Sequence, residues 1–487
     1  MTAPPHETLA SLFGGSAATA IVCAEDGSRT SHERLAEDVD AIARRLAARG
    51  VARRDRVALV IPDGPALVPL LLGVAALGAA AAPLNPAYTR DEFAFYLEDL
   101  EPAALIVPEG EIAPAREAAG DSVRVLEARG ADLVGTKQTA SYEPAQPDDV
   151  ALLLHTSGTT SRPKQVPLRH RNLMASARGI AAFYALGDGD VSYAMMPLFH
   201  VHGLVASTFA ALAAGGAVVV PRRLLPRRLW GQLGEYGVTW LSAGPTLHSM
   251  ALERRGDAPV ADTLRFVRSC SSALSPALLE RCEAVYGVPM LEAYGMTEAS
   301  HQMTSNPLPP RARVPGSVGI SAGAEVRVVD THGRDADLGE VVIRGPGVMS
   351  GYLANDRANA EAFVDGWFRT GDQGRLRDGY LNLEGRLKEL IIRGGENISP
   401  GEIEDALRSH AAVLDAVAFG IESEKYGEEV GAAVALRDEV APAALQDHCR
   451  ERLAAFKVPV RIYVLPEIPR TATGKLQRRR IAERLLA

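Results

Sequence analysis

The sequence predicts an α/β protein. We expect a large N-terminal domain of layered α/β subdomains plus a small β-barrel-like unit, and a small α+β C-terminal domain. Three observations carry this. Apolar strand-like runs alternate with helix-length segments up to about residue 292, the rhythm of parallel strands covered by helices. From about residue 313 the texture changes to short β-rich runs separated by Gly and Asp. And 487 residues are too many for one ordinary core, so two or three domains are expected.

Taken in order, Arg56–Ile61 is strand-like, 65–77 helical, Ala80–Leu84 a short strand, 89–99 helical and Ala104–Val107 strand-like. Residues 110–148 read as a polar, irregular surface excursion. The rhythm resumes with Val150–His155, a helix near 170–184, and the runs Ala217–Val220, Thr239–Ser242, Phe266–Ser269 and Met290–Glu292. Glu325–Asp330 and Glu340–Arg344 belong to the antiparallel, barrel-like unit. The last segment holds helix 400–409, strand 413–420, helix 442–454 and strand 460–465. We place the large domain at 1–386, a short charged joint at 387–389 and the small domain at 390–487.

Apolar content of 47% with 23% charged residues is that of a soluble globular protein. A net charge of −8, with no basic stripe carrying aromatics, argues against a nucleic-acid surface. The four cysteines, Cys23, Cys270, Cys282 and Cys449, have no metal-like spacing and suit a reducing cytoplasm without disulfides or zinc. The N-terminal stretch lacks the basic and apolar regions of a signal peptide. Gly64–Pro86 and Gly203–Pro221 carry no charge, but Pro and Gly interrupt both, so core helix followed by strand is expected in place of a membrane span.

Residues 155–166, HTSGTTSRPKQV, are the most informative stretch. Gly158 permits a tight turn that points successive N–H groups at one anion. Thr156, Ser157, Thr159, Thr160 and Ser161 add hydroxyls, and Lys164 supplies a compact cation suited to phosphate oxygens. This is a polyphosphate cradle, or else a polar surface loop. It is not the G-x-x-x-x-G-K-[ST] loop, because Gln165 and Val166 follow the lysine.

Further motifs follow. In LEAYGMTE (291–298), Tyr294 can stack on a flat base, Thr297 can donate to a phosphate, and Glu298 can hold Mg²⁺. A plain strand-end turn is the alternative. In WFRTGD (367–372) and GRLKE (385–389), Asp372 and Arg386 are candidates for ribose hydroxyls, although Gly-Asp is also ordinary turn chemistry. IIRGGENISP (391–400) leads into a helix capped by Ser399 with Pro400 at its first position. Its Gly394 and Gly395 permit close approach of a thin ligand, or simply form a turn. Lys475 lies in PRTATGKLQRRR (469–480), where a lone lysine is usually solvated. In PLFHVHG (197–203), His200 and His202 fall on one side of an extended chain, as a pocket gate or as buried hydrogen-bonded rings.

In this order and at this spacing, TSGTTSRPK, YGMTE, RTGD, GRLKELIIRGGENISP and PRTATGK resemble the adenylate-forming superfamily of acyl-CoA synthetases, adenylation domains and luciferases. The match covers roughly residues 30–482. LLLHTSGTTSRPK, PLFHVHGL, FVRSCSSALSP, LEAYGMTEASHQMTSNPLP, KYGEEV and AAFKVP are most similar to the plant and fungal oxalate–CoA ligases. The resemblance implies a two-step reaction. A carboxylate attacks the α-phosphate of ATP to give acyl-AMP and pyrophosphate, and the thiol of coenzyme A then displaces AMP. It also implies roles. The 156–164 loop and Lys164 hold the β- and γ-phosphates, Thr160 and Glu298 position Mg²⁺, and Lys475 reaches the carboxylate and bridging oxygens. His200 joins the catalytic candidates. Lys388 falls at the hinge of a mobile small domain, whose rotation withdraws Lys475 and brings Gly394 and Gly395 to the pantetheine tunnel.

The acyl pocket is expected from His202, Ser271, Ser272 and His301, with Gly295 beside it. These are mostly polar, and two of them can be cationic, which suits a small carboxylic acid with a second anionic or polar group. Most relatives carry Gly after the loop lysine; Gln165 has less backbone freedom and more bulk. That departure leaves room for other acceptors or acids: a carrier-protein thiol, an oxyanion such as nitrite, or a short-chain or aromatic acid.

Overall fold

The computed structural model describes residues 7–135, 138–156, 163–470 and 476–486. Two sheets dominate the N-terminal part. The first has seven strands in the order Asp132–Leu133, Arg124–Arg129, Ala104–Pro108, Arg56–Leu59, Ala80–Pro83, Val150–His155 and Gln165–Arg169. Its middle is parallel and both edge pairs are antiparallel. The second has nine strands, parallel from Thr19–Cys23 through Ala217–Val220, Val191–Ala194, Trp240–Ala243 and Phe266–Ser269 to Met290–Met296. Antiparallel strands Arg29–Ser31 on one side, and His301–Ser305 and Ile320–Ser321 on the other, complete it.

The central strands Ala80–Pro83 and Ala217–Val220 are wholly buried apolar runs, as parallel strands covered on both faces must be. The helix Leu67–Ala76 and the strand Ala80–Pro83 account for the uncharged stretch 64–86. No helix of the described residues is long and apolar enough to cross a membrane.

Residues 110–148 depart from expectation. They contain the helix Ala113–Ala119 and the strands Arg124–Arg129 and Asp132–Leu133. Arg124–Arg129 lies near the sheet edge with only Leu126 and Ala128 fully buried; Arg124, Glu127 and Arg129 interrupt it, so it lacks the apolar run that marks a central strand. Two further strands extend the expectations: Met290–Met296 runs four residues past Glu292, and Gln165–Arg169 pairs back on Val150–His155.

From residue 325 an antiparallel sheet is built by Glu325–Val329, Gly339–Arg344, Trp367–Arg377 and Phe363–Val364, with Tyr380–Arg386 also pairing on Trp367–Arg377. The C-terminal segment forms its own five-stranded sheet around the long hairpin Val413–Ser423 and Gly427–Leu436. Helices Pro400–Arg408, Pro442–Arg450 and Arg478–Leu486 accompany that sheet. Ile391, Ile403, Leu407, Ala432 and Leu445 lie in its separate apolar core.

Candidate active site

The strands Val150–His155 and Gln165–Arg169, which flank the 156–164 motif, pair antiparallel. Thr156 N–H donates to the Lys164 carbonyl (2.9 Å) and Lys164 N–H to Thr156 Oγ1 (3.1 Å), so the base of the loop is closed from both sides. Ser157, Gly158, Thr159, Thr160 and Ser161 lie outside the described residues. Gln165 is a strand residue opposite His155. Its Nε2 donates to Asp99 Oδ2 (2.7 Å) and to the Asp99 carbonyl (2.5 Å), while His155 Nε2 lies 3.0 Å from Asp99 Oδ2. The residue in place of glycine thus fastens the hairpin to the end of helix Arg90–Leu100.

Lys164 Nζ lies 4.5 Å from the centroid of the Tyr352 ring, a cation–π contact. Tyr352 donates its hydroxyl to Glu298 Oε1 (3.0 Å). Burial, and then the Glu298 charge, push the Tyr352 phenol far up, so it remains a donor. Glu298 is itself buried, at the end of the strand Met290–Met296, beside half-buried Thr297. Mg²⁺ takes hard oxygens from one or two carboxylates and completes its shell with phosphates and water. Glu298 fits that use. Among the described residues no cluster of three or more His, Cys, Asp or Glu could hold a metal unaided.

The next group joins two sheets. Tyr294 donates its hydroxyl to Asp372 Oδ2, and Arg386 Nε pairs with Asp372 Oδ1 at 3.0 Å. Asp372 and Arg386 face each other across the pair Trp367–Arg377 and Tyr380–Arg386, so sheet register sets their approach. Asp372 is buried, whereas the Arg386 side chain is 56% exposed at the edge. The Asp372 charge raises the Arg386 pKa further.

His202, Ser271, Ser242 and His301 form a polar cluster. His202 Nδ1 meets Ser271 Oγ at 2.8 Å and its Nε2 meets Ser242 Oγ at 2.7 Å. The His202 and His301 rings lie 4.7 Å apart, centroid to centroid. Behind both is Arg268, fully buried, in the strand Phe266–Ser269. Its guanidinium donates to Tyr184 Oη (2.9 Å), Ser242 Oγ (2.7 Å), Gln302 Oε1 (3.0 Å), His202 Nε2 (3.4 Å) and His301 Nδ1 (3.4 Å).

Backbone geometry fixes this cluster. Residues 197–201 turn, and a π-helix spans His202–Phe209, correcting the extended chain expected there. His200 is half-buried and accepts from the His202 N–H at 3.2 Å. A Cβ on Gly203 would lie 2.3 Å from the Met196 carbonyl, so only glycine lets this helix start so close to the strand exit. A Cβ on Gly295 would lie 2.3 Å from the His301 carbonyl and 3.2 Å from its Nδ1. Ser271 and His301 have φ of 78° and 104°. Non-glycine residues held there cost about 1–3 kcal/mol each and cluster where function requires them.

Ser272 is exposed and lies outside this hydrogen-bonded cluster. One expectation is corrected. His202 does not supply a charge here: burial, then His301 and Arg268, hold it well below its usual pKa, so it is neutral. The fixed charge is Arg268, which the sequence reading passed over. An arginine inside an otherwise apolar strand, FVRS, was the signal that marked it.

In the C-terminal segment Gly394 (φ 60°) and Gly395 (φ 91°) form an exposed two-residue turn between strands Ile391–Arg393 and Glu396–Ile398. Lys388 is exposed in the short 3₁₀ turn Leu387–Glu389. Lys475 lies outside the described residues. Close after it, Arg478 pairs with Glu389 (3.1 Å) and Glu404 and donates to the Ala418 carbonyl. Ser399 donates its hydroxyl to the Glu384 carbonyl and so does not cap its helix through its side chain.

Comparison with known proteins assigns this arrangement. Residues 14–353 match the family model of AMP-binding enzymes and residues 402–475 that of the AMP-binding enzyme C-terminal domain. The chain is 44% identical to the oxalate–CoA ligase of Arabidopsis thaliana, over 94% of this chain and 93% of that protein. It is 38% identical to the sulfoacetate–CoA ligase of Cupriavidus necator, over 97% of each. The crystal structure of ATP-bound MatB from Rhodopseudomonas palustris superposes with a TM-score of 0.91 at 28% identity, over 99% of both chains. The chain therefore belongs to the AMP-binding enzyme family. More narrowly, it is an AMP-forming carboxylate–CoA ligase, with ATP, Mg²⁺ and coenzyme A as its co-reactants.

Proposed function

We propose that the acid activated is a short one with a second anionic group, oxalate foremost. The observation that supports this is the acyl region itself. His202, Ser271, His301 and the residues behind them make a buried, hydrogen-bonded polar cluster, where a long acyl chain would need an apolar tunnel. The names of the relatives, oxalate–CoA and sulfoacetate–CoA ligase, point the same way.

In this reading the nucleotide lies between the loop 156–164 and the Tyr294–Asp372–Arg386 group. Tyr294 packs on the base, Asp372 and Arg386 take the ribose hydroxyls, and Thr156, Ser157, Gly158, Thr159, Ser161, Thr297 and Lys164 take the phosphates. Glu298 and Thr160 hold Mg²⁺, which neutralises charge on the departing pyrophosphate. A carboxylate oxygen attacks the α-phosphorus as the bond to pyrophosphate breaks, and Lys475 stabilises the charge that develops. His200 borders the site. The CoA thiol then attacks the acyl carbon and AMP leaves with the electron pair. Positioning and electrostatics suffice for the first step, with no covalent enzyme intermediate.

We further place the large domain at 1–386 and the small one at 390–487, with Lys388 as the hinge between two arrangements. One presents Lys475 to the acyl-phosphate; the other presents Gly394 and Gly395 to the pantetheine arm. Pyrophosphate release across a panel of acids, with mass measurement of the product formed with CoA, tests the reading. Oxalate or another short diacid should be turned over best. Preference for medium-chain or aromatic monoacids refutes it.

A further inference from the structure

We propose that Arg268 is the positioning residue that makes the acyl pocket select a dianionic acid. It does so by turning the donors of Ser271 and His301 outward toward the second anionic group. This rests on the reading of the chain as a short-diacid ligase and names what within the site enforces it.

The argument starts from hydrogen-bond direction. A guanidinium only donates, so every atom facing it is an acceptor. Arg268 donates to Ser242 Oγ, which leaves the Ser242 O–H to donate to His202 Nε2. His202 is neutral, so its single N–H is on Nδ1, and that N–H donates to Ser271 Oγ. Ser271 is then left with its own O–H as a donor, on a half-buried residue. The second branch is shorter. Arg268 faces His301 Nδ1, which must accept from a guanidinium, and this leaves the ring proton on Nε2. One buried cation thus polarises two relays, and both end in donors.

Charge balance strengthens the case. Tyr184, Ser242, Gln302, His202 and His301 accept hydrogen bonds from the guanidinium and the Cys270 thiol lies within its reach; none of these is a carboxylate. No carboxylate among the described residues forms an ion pair with it. A buried charge left in that state is costly, and an anion at the end of the relays supplies the missing counter-charge. Ser271 and His301, the two relay ends, both hold non-glycine backbone at positive φ. The strain falls where the donors must be aimed. A carboxylate or a sulfonate meets the same need.

The test compares acids that differ only in the second group: oxalate, oxamate (its monoamide) and glyoxylate. Steady-state pyrophosphate release is measured for wild type, Arg268→Met, Arg268→Lys and Ser242→Ala, each checked for folding by thermal melting. Wild type should favour oxalate over oxamate. Arg268→Met should reduce that ratio by about a hundredfold, chiefly through the KM for oxalate and with the KM for ATP unchanged, because a site built to bond a polar group rejects the analogue lacking it. Arg268→Lys should recover part of the ratio. Ser242→Ala, which cuts one relay and keeps the charge, should reduce it less; it decides the matter should Arg268→Met fail to fold. Equal falls for oxalate and oxamate in the folded variants overturn the proposal and leave a merely structural arginine. Wild type that turns over no diacid instead overturns the functional reading, so the two failures are distinct.

Discussion

Glu292 gives a prediction whose size follows from the structure. Its carboxyl is buried on the strand Met290–Met296, with Oε1 accepting from the Leu274 N–H at 3.2 Å. Burial raises its pKa to about 7, the hydrogen bond opposes the rise, and the like charge of Asp405 on helix Pro400–Arg408 adds to it. Unfolded, the group titrates near 4.5. Between those values the folded protein binds the proton and the unfolded chain does not, so stability falls as pH rises from about 4.5 to 7 and is level above. About 2.5 pH units correspond to roughly 3 kcal/mol. Glu292→Gln keeps an acceptor for Leu274 and removes the titration. Urea unfolding should show variant and wild type nearly equal at pH 4.5, with the variant ahead by up to about 3 kcal/mol at pH 7.5. A difference that stays constant across that window would refute the reasoning.

Further outcomes are expected. Lys475→Ala should cripple adenylation, read by ATP–pyrophosphate exchange, while thioester formation from supplied acyl-AMP persists; equal loss of both half-reactions counts against its assigned role. Asp372→Asn should raise the KM for ATP by roughly ten- to a hundredfold, the worth of one or two charge-assisted hydrogen bonds, with the KM for the acid little changed. Gln165→Gly should lower stability by about 1–3 kcal/mol as the Asp99 contacts are lost. A urea midpoint unmoved by that change would show the clamp to be idle.

The sequence disclosed the layered fold well because central parallel strands are unbroken apolar runs. Ala80–Pro83 and Ala217–Val220 stand out for that reason. It disclosed Arg124–Arg129 badly because a strand near an edge, interrupted by charged residues, resembles a loop. In the site, motif spacing led to Tyr294, Asp372 and Arg386, which the structure joins through register and hydrogen bonds. Spacing says nothing of burial, however. His202 was therefore credited with a charge that desolvation denies it, and spacing alone did not show that of the neighbours Ser271 and exposed Ser272 it is Ser271 that bonds His202. Arg268 was hidden by a composition already rich in arginine. Its meaning comes from its strand, whose register sets it opposite Ser242.

The Arg478 pairings carry a mechanical consequence for the small domain. Arg478 ties Glu389 to Glu404 and to the Ala418 carbonyl, so Glu389 is bound to the C-terminal sheet and its helix. A turning C-terminal unit would carry Glu389 along as part of the crank. The twist would then fall on the backbone torsions of Leu387 and Lys388 alone, close to the axle. Severing the Arg478–Glu389 pair would lengthen the compliant segment and blur where the crank stops, without touching any atom of the substrate.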